Sequence, residues 1–343
     1  MLRSSSYDYK YINGNYLVSY NGQDLRKEAF RMDEELRADF PDSIDLKISN
    51  RCSRGCPFCH ENSTKAGKIL DLEKTKEILS QLPELPIEFA IGGGNILETP
   101  GESSDIVNWL LAQNHRVRCT VRYEDLLTLT EEQKELLKMF EGIGVSISDV
   151  TPEMEEVLNN KQKYDYSFDG FGADLARHFN NLLFGDKGKK DKVLHTGTPK
   201  YVIHIISGVF PVEKLDKFLH DTSVPTLILG YKQWGRARNT ELPESLPEFE
   251  RTIKQYLYKN RYEIEAGKYD RKSIVFDNLA LEQLHIKDSL TDEEWDTLYM
   301  GDEGTHSMYI DAVAGQFARN SRSPERVSWD DCGLLDYFKS LHK

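Results

Sequence analysis

From residue 43 onward the chain switches its hydrophobic period again and again, and this rhythm narrows the possible folds more than any other feature. Short runs rich in Ile, Val and Leu at 44–48, 87–91, 116–121, 144–147, 201–206 and 226–229 alternate with amphipathic stretches at 72–82, 104–113, 130–140 and 211–220. Short β-branched runs read as strands, and apolar stripes at a 3.6-residue spacing read as helices. Thr130-Glu-Glu-Gln133 has the form of a capping box that opens the third helix. Regular alternation predicts βαβ units with a parallel sheet, and six or more strands predict an α/β fold, a partial or near-complete (β/α) barrel. Runs at 273–276 and 308–310 either bring the barrel close to completion or form a separate cap.

Outside this rhythm, residues 9–20 read as a β-hairpin around Asn13-Gly14, because both residues tolerate positive φ. The expected organisation is therefore a hairpin and lead-in over 1–42, a barrel core over 43–238 and a C-terminal extension over 239–343. The stretch 165–198 is less periodic, and its lysine-rich run 187–192 reads as a solvated loop. A terminal helix is expected over 334–341.

The chain has 343 residues, 39% of them hydrophobic, enough for one large barrel or two ordinary domains. No apolar run approaches the roughly 18–20 residues of a membrane span, and the polar start lacks the apolar core of a signal peptide. A cytoplasmic protein with no membrane partner is expected. The net charge of −13 argues against sequence-blind binding of duplex DNA.

Three of the five cysteines fall between Cys52 and Cys59, while Cys119 and Cys332 stand alone. An odd, clustered set suits a metal or cluster site rather than a disulfide framework. The spacing is C-x3-C-x2-C, on the loop after the first core strand. Soft thiolates match iron, and three of them leave one iron of a [4Fe–4S] cube without a protein ligand. Structural zinc, with His60 as a fourth ligand, and a chance grouping of buried thiols are the alternatives. Two lone cysteines cannot supply a second such cluster.

The spacing, the aromatic Phe58 before Cys59, and the place after a first strand resemble the radical S-adenosylmethionine (SAM) superfamily. That resemblance covers about 43–238. It implies a [4Fe–4S] cluster on Cys52, Cys56 and Cys59, with SAM on its open iron, and an electron donor such as a flavodoxin. Gly92, Gly93, Gly94 and Asn95 resemble the family's glycine-rich strand end that meets the SAM amino group, although the usual acidic residue is missing. Ser146, Ser148 and Asp149 are similar to its ribose-binding strand end, with helix capping as the alternative for Asp149. Gly230 lies where the family's sixth strand borders the adenine.

Glu61, Asn62, Asp277 and Asp311 are candidates for catalytic work, with turn and cap chemistry as the alternative for the last two. Arg122, Lys232, Arg236, Arg238, Arg319, Arg322 and Arg326 follow expected strands. In a barrel they would gather as a basic rim, attracting an anionic substrate, and one of them would hold the SAM carboxylate. The chain also looks similar to stand-alone radical SAM proteins of bacterial and phage genomes. Some phage members rearrange groups on modified DNA bases, so the expected substrate is a modified nucleobase in DNA or a nucleotide, handled by an isomerase-type reaction; an enzyme reaching a base in DNA would flip it or take single strands. A small metabolite or a peptide is the rival substrate. A non-catalytic zinc or cluster-binding module is the rival class.

Overall fold

Seven apolar runs after residue 42 form parallel strands that pair in sequence order. The computed structural model describes residues 9–20, 25–30, 36–159, 173–184, 200–222, 224–265, 274–299 and 301–342. Three strands precede the core: β1 (Tyr9–Asn13), β2 (Tyr16–Tyr20) and β3 (Leu25–Ala29). The core strands are β4 (Ser43–Ser49), β5 (Glu88–Gly93), β6 (Arg116–Arg122), β7 (Gly142–Ser146), β8 (Lys200–Ile206), β9 (Thr226–Leu229) and β10 (Ile274–Phe276). They are followed by β11 (Ser307–Asp311), β12 (Gln316–Ala318) and β13 (Val327–Ser328). The large sheet runs β10-β9-β8-β7-β6-β5-β4-β11-β12-β13. Neighbours pair in parallel from β10 through β4 to β11, and β12 and β13 add antiparallel.

The sheet therefore stays open, a partial barrel with β10 and β13 at its edges. Both late runs became strands, but on opposite flanks. After β11 the chain turns at Gly315, which has a φ of +68°, and returns as β12 instead of crossing to β10. Residue 273, at the start of the expected strand 273–276, lies outside the described residues.

The helices follow the expected stripes; Leu72–Leu79 and Glu131–Lys138 are shorter than read, while Pro100–Ala112 begins four residues sooner and Val212–Asp221 ends one later. The Thr130–Gln133 capping box forms and starts the helix Glu131–Lys138. Among the helices that went unread in the sequence, two are long. Ala173–Phe184 buries Leu175, Phe179 and Leu183 at a four-residue spacing, inside the stretch expected to be less periodic. Leu246–Glu265 buries Phe249, Ile253 and Tyr256. The lysine-rich run 187–192 lies outside the described residues.

The N-terminal hairpin gains a third strand, since β3 pairs with β2. The resulting sheet closes the end of the barrel where the strands begin. Tyr16, fully buried, donates to Asp42 Oδ2 at 2.5 Å, and Lys27 Nζ meets Asp42 Oδ1 at 2.8 Å. Tyr20 donates to Glu141 Oε1 at 2.5 Å, while the Arg116 guanidinium lies 3.7 Å over the Tyr20 ring. Asn13 is fully buried and satisfied at both ends of its amide: its Nδ2 donates to Tyr16 and to the Phe40 carbonyl, and its Oδ1 accepts from Asp39 N at 2.9 Å.

No helix among the described residues is long and apolar enough to cross a membrane.

Replacing Asn13 with Ala strips partners from several buried groups at once, so a loss of roughly 2–3 kcal/mol is expected in urea unfolding. An unchanged midpoint would show that this sheet does not brace the core.

Candidate functional site

A period of two sends alternate strand residues to opposite faces, and here the two faces differ in kind. Ile44, Leu46, Ile48, Phe89, Ile91, Val117, Val121, Ile143, Val145, Ile203, Ile205 and Ile228 are buried in one apolar core shared with the helices. The pairing register sets Arg122, Ser146, His204, Leu227 and Val275 side by side on the other face, and all five are reachable by solvent. Asp45, Ala90 and Arg118 share that face in register and are reachable too. The inner face of the open barrel is thus a wet hollow.

Above it, the cysteine loop leaves β4. Its stem is zipped by Asn50 N to Lys68 O at 2.7 Å, Cys52 N to Thr64 O at 2.9 Å and Leu70 N to Ile48 O at 2.8 Å. Cys52, Cys56 and Cys59 are all partly exposed on this one loop. Burial raises the Cys52 thiol from its ordinary value. Phe58 is half-buried beside them, and Asn62 turns the chain away at a φ of +50° with its side chain exposed. Arg122 Nη1 donates to Cys56 Sγ at 3.1 Å, and its Nη2 reaches Ser148 Oγ at 3.4 Å.

The segment after β9 braces the loop from outside. Arg236 N donates to Cys59 O at 3.0 Å, its Nε to Cys56 O at 2.8 Å and its Nη1 to Ser63 O at 2.6 Å. A Cβ on Gly235 would come within 2.3 Å of His60 O, so only glycine permits this approach.

From beneath, a buried charge network holds the same loop. Lys47 Nζ lies 2.7 Å from Glu61 Oε2 and 3.0 Å from Asp311 Oδ2. Tyr309 donates to Glu61 Oε1 at 3.0 Å, and Arg326 approaches Asp311 at 3.7 Å. Burial works to raise the Glu61 carboxyl, but its contacts with His60 and Lys47 bring it down to about 2. Burial lowers His60, which is therefore neutral at pH 7, so Lys47 is the cation that balances Glu61. His60 turns its Nε2 to Glu61 at 3.3 Å. Among the described residues no three His, Cys, Asp or Glu side chains are gathered to hold a single metal ion.

The three glycines of the β5 end have different surroundings. A Cβ on Gly93 would sit 2.3 Å from Ser49 O, and one on Gly94 2.1 Å from Arg51 O, so both let β5 press against the root of the loop. A Cβ on Gly92 would meet nothing within 4 Å, because this residue borders the open hollow. Asn95 is engaged internally, capping Leu97 N at 3.1 Å and donating to Asp125 at 3.3 Å.

Other expected site residues are drawn into structure. Asp277 accepts from Ala280 N at 2.7 Å and Gly230 N at 2.9 Å, so it caps the helix Asn278–Gln283 and ties Gly230 to it. Gly230 packs against Leu279, where a Cβ would come within 2.4 Å. Asp149 pairs with Lys214 at 2.7 Å, and Thr151, not Asp149, caps the next helix. The basic rim does not assemble as expected. Arg236 serves loop carbonyls, Arg319 donates to the carbonyls of Glu303 and Leu341, Arg322 pairs with Glu303, and Arg326 donates to the Ser321 carbonyl. Exposed Arg238 lies over Trp234, and Lys232 donates to Ser321 Oγ at 3.0 Å. Cys119 is buried, and enclosure pushes its thiol upward.

Sequence reasoning missed Asp45, Lys47 and His204. The signal was present as polar residues at every second place of otherwise apolar strands. Asp45 touches solvent in the hollow yet is ringed by protein. That enclosure, opposed by Lys232 and helped by Glu303, Glu88 and Glu61, raises its carboxyl to about 6. Burial lowers His204 to about 4, and its ring fills the space over Gly144, where a Cβ would come within 2.3 Å of it.

No family model and no curated protein matches the sequence. Solved structures do match the fold. SuiB of Streptococcus suis bound to S-adenosylmethionine superposes with a TM-score of 0.53 at 14% identity, over 88% of this chain and 66% of that one. The fold is that of the radical SAM enzymes. SuiB bound to its precursor peptide SuiA gives a TM-score of 0.50 at 16% identity, over 88% of this chain and 65% of that chain. anSMEcpe with bound AdoMet and the Cp18Cys peptide gives 0.50 at 13% identity, over 87% and 79%. This chain thus spans just under two thirds of the length of SuiB. In this radical SAM fold the cysteine loop stands over the wet inner face, next to the open side of Gly92.

Two outcomes are expected. Arg236→Met removes two charge-assisted bonds, so amide exchange across 56–64 should quicken roughly tenfold or more; unchanged exchange would deny the brace. Asp45, raised from 3.8 to about 6, binds its proton more readily folded than unfolded, so its contribution to stability falls as pH rises from about 4 to 6. Asp45→Asn should therefore stabilise the chain at pH 8 and make no difference below pH 4 in thermal unfolding. A variant equally shifted at both pH values would refute this origin.

Proposed function

We propose that the chain is a radical SAM enzyme, with Cys52, Cys56 and Cys59 holding a [4Fe–4S] cluster and SAM binding beside Gly92. The observation that carries this reading is three thiols on one loop, after the first strand of a radical SAM fold, above a solvent-filled inner face. The donor set suits the group: three soft ligands and a neighbouring backbone left bare by glycine. When bound, the cluster and SAM supply reductive cleavage of the sulfonium, and through it hydrogen-atom abstraction from a substrate.

The chain's own residues do the rest. Arg122 donates to Cys56 Sγ, which offsets thiolate charge and favours the reduced state, since hydrogen bonds to the sulfurs are one lever on cluster potential. Ser146 and Ser148 offer hydroxyls at a strand end beside Arg122, the place expected for the ribose. Arg236 and Lys47 fix the loop from two sides, so the cysteines keep one arrangement. An electron donor such as a flavodoxin completes the cycle.

Of the substrates expected from sequence, a peptide or small metabolite has the better support. SuiB and anSMEcpe both have structures with peptides bound. Most of the arginines that would have drawn an anionic nucleobase substrate, Arg236, Arg319, Arg322 and Arg326, are engaged within the protein. Whether the substrate is rearranged or oxidised is read from the products, because both begin with hydrogen abstraction.

Anaerobic reconstitution is expected to load about four irons per chain, and dithionite with SAM should yield 5′-deoxyadenosine. Cys56→Ala should lose both iron and product while keeping its fold by circular dichroism. Zinc in place of iron, or an intact cluster that forms no 5′-deoxyadenosine, would overturn the proposal in favour of a binding module.

A further inference from the structure

The reading above leaves the floor of the hollow unused, and that floor is divided. On the β8–β10 side its wall is aliphatic. His204 pairs with Leu227, Ile206 with Leu229, and Val275 with Leu227, so Ile206, Leu227, Leu229 and Val275 all face inward. All four are reachable by solvent, and Val275 is 49% exposed. On the β4 side stands Asp45. It makes no hydrogen bond and no ion pair among the described residues, whereas the carboxylates around it are already engaged: Glu61 with Lys47, Glu88 with Arg118 and Glu303 with Arg322. The cation acting on Asp45 is Lys232, whose ammonium is held by Ser321 at 3.0 Å. Between the two walls lies a gap: on β5 the inner positions are small, Ala90 and Gly92, and on β6 they are Thr120 and two cations already paired, Arg118 with Glu88 and Arg122 with Glu124. His204 crosses this gap from the aliphatic side. Its Nδ1 lies 3.4 Å from Thr120 Oγ1, and its Nε2 has no partner among the described residues.

A carboxylate that has no partner among the described residues and faces the hollow attracts a cation, and an exposed aliphatic wall calls for an apolar stem. We propose that the hollow takes an aliphatic ammonium, its stem against Leu227, Leu229 and Val275 and its charged head on Asp45, with His204 as a hydrogen-bonding neighbour. This deepens the radical SAM reading by naming the substrate class of that site. It replaces the anionic substrate expected from the basic residues, because Arg236, Arg319, Arg322 and Arg326 find partners within the protein and Asp45 finds none among the described residues. Asp45 is then the residue that determines specificity, and the stem's C–H bonds lie on the wall beneath the cysteine loop.

The test uses three probes with one stem: n-hexylammonium, hexanoate and hexan-1-ol, titrated into the full-length chain at pH 7.5 and followed by NMR. Hexylammonium is expected to give saturable shifts at the Asp45 carboxyl, the His204 ring and the Val275 methyls. Hexanoate should bind at least roughly tenfold more weakly, and Asp45→Asn should weaken hexylammonium by a similar factor. Lys232→Gln removes the competing ammonium and should tighten hexylammonium, which keeps the proposal testable if Asp45→Asn fails to fold. Tighter binding of hexanoate, equal binding of hexylammonium by Asp45→Asn, weaker binding by Lys232→Gln, or no saturable shift would each overturn it. The titration reads the chain's own side chains and needs no SAM cleavage. Binding of hexylammonium by a chain that forms no 5′-deoxyadenosine would therefore sink the enzyme reading alone, and 5′-deoxyadenosine without hexylammonium binding would sink this inference alone.

Discussion

Lys47 is the point at which three distant parts of the chain meet. It sits on the first core strand, and its buried ammonium is shared between Glu61, just past the last cysteine of the loop, and Asp311, 264 residues away on β11. A buried charge is tolerated only when paired and hydrogen-bonded, and removing one partner of such a set costs several kcal/mol. The strand, the cysteine loop and the C-terminal extension are therefore locked to one another by the same ammonium. With Arg236 holding the loop from its other side, the positions of three thiols depend on residues far from them in sequence.

The second constraint is the period of the strands. Because the outer positions are almost all apolar, the helices pack on one face and leave the inner one wet. Polar residues on that inner face escape the usual penalty of burial because solvent reaches them. The protein crowded around the hollow still acts on these groups: the Asp45 carboxyl is held above its usual range and the His204 imidazole below its own. Perturbed groups inside a cleft are where chemistry or recognition is usually found.

Much of the fold was legible. Six core strands, four helices and a capping box follow from apolar period and cap residues alone. The helices Ala173–Phe184 and Leu246–Glu265 carried the same signal but were passed over. The first lies in a stretch with paired asparagines and neighbouring glycines, and the second is mostly charged on its outer side. β3 was illegible because Leu-Arg-Lys-Glu-Ala has no strand pattern, and its pairing with β2 creates it. At the site the cysteines and glycines could be read. The fates of Asp277, Asn95 and the arginines could not, since a cap, a brace and a ligand contact use the same residue types.

The sequence alone determined that strands and helices alternate into a parallel α/β sheet, and that three thiols share one short loop, since both are properties of neighbours along the chain. The tertiary structure decided which charges are satisfied. Arg236, Arg319, Arg322 and Arg326 find carbonyls or carboxylates, and Asp45 finds no partner among the described residues, because a partner in space is set by how the sheet curls and by where its edges end.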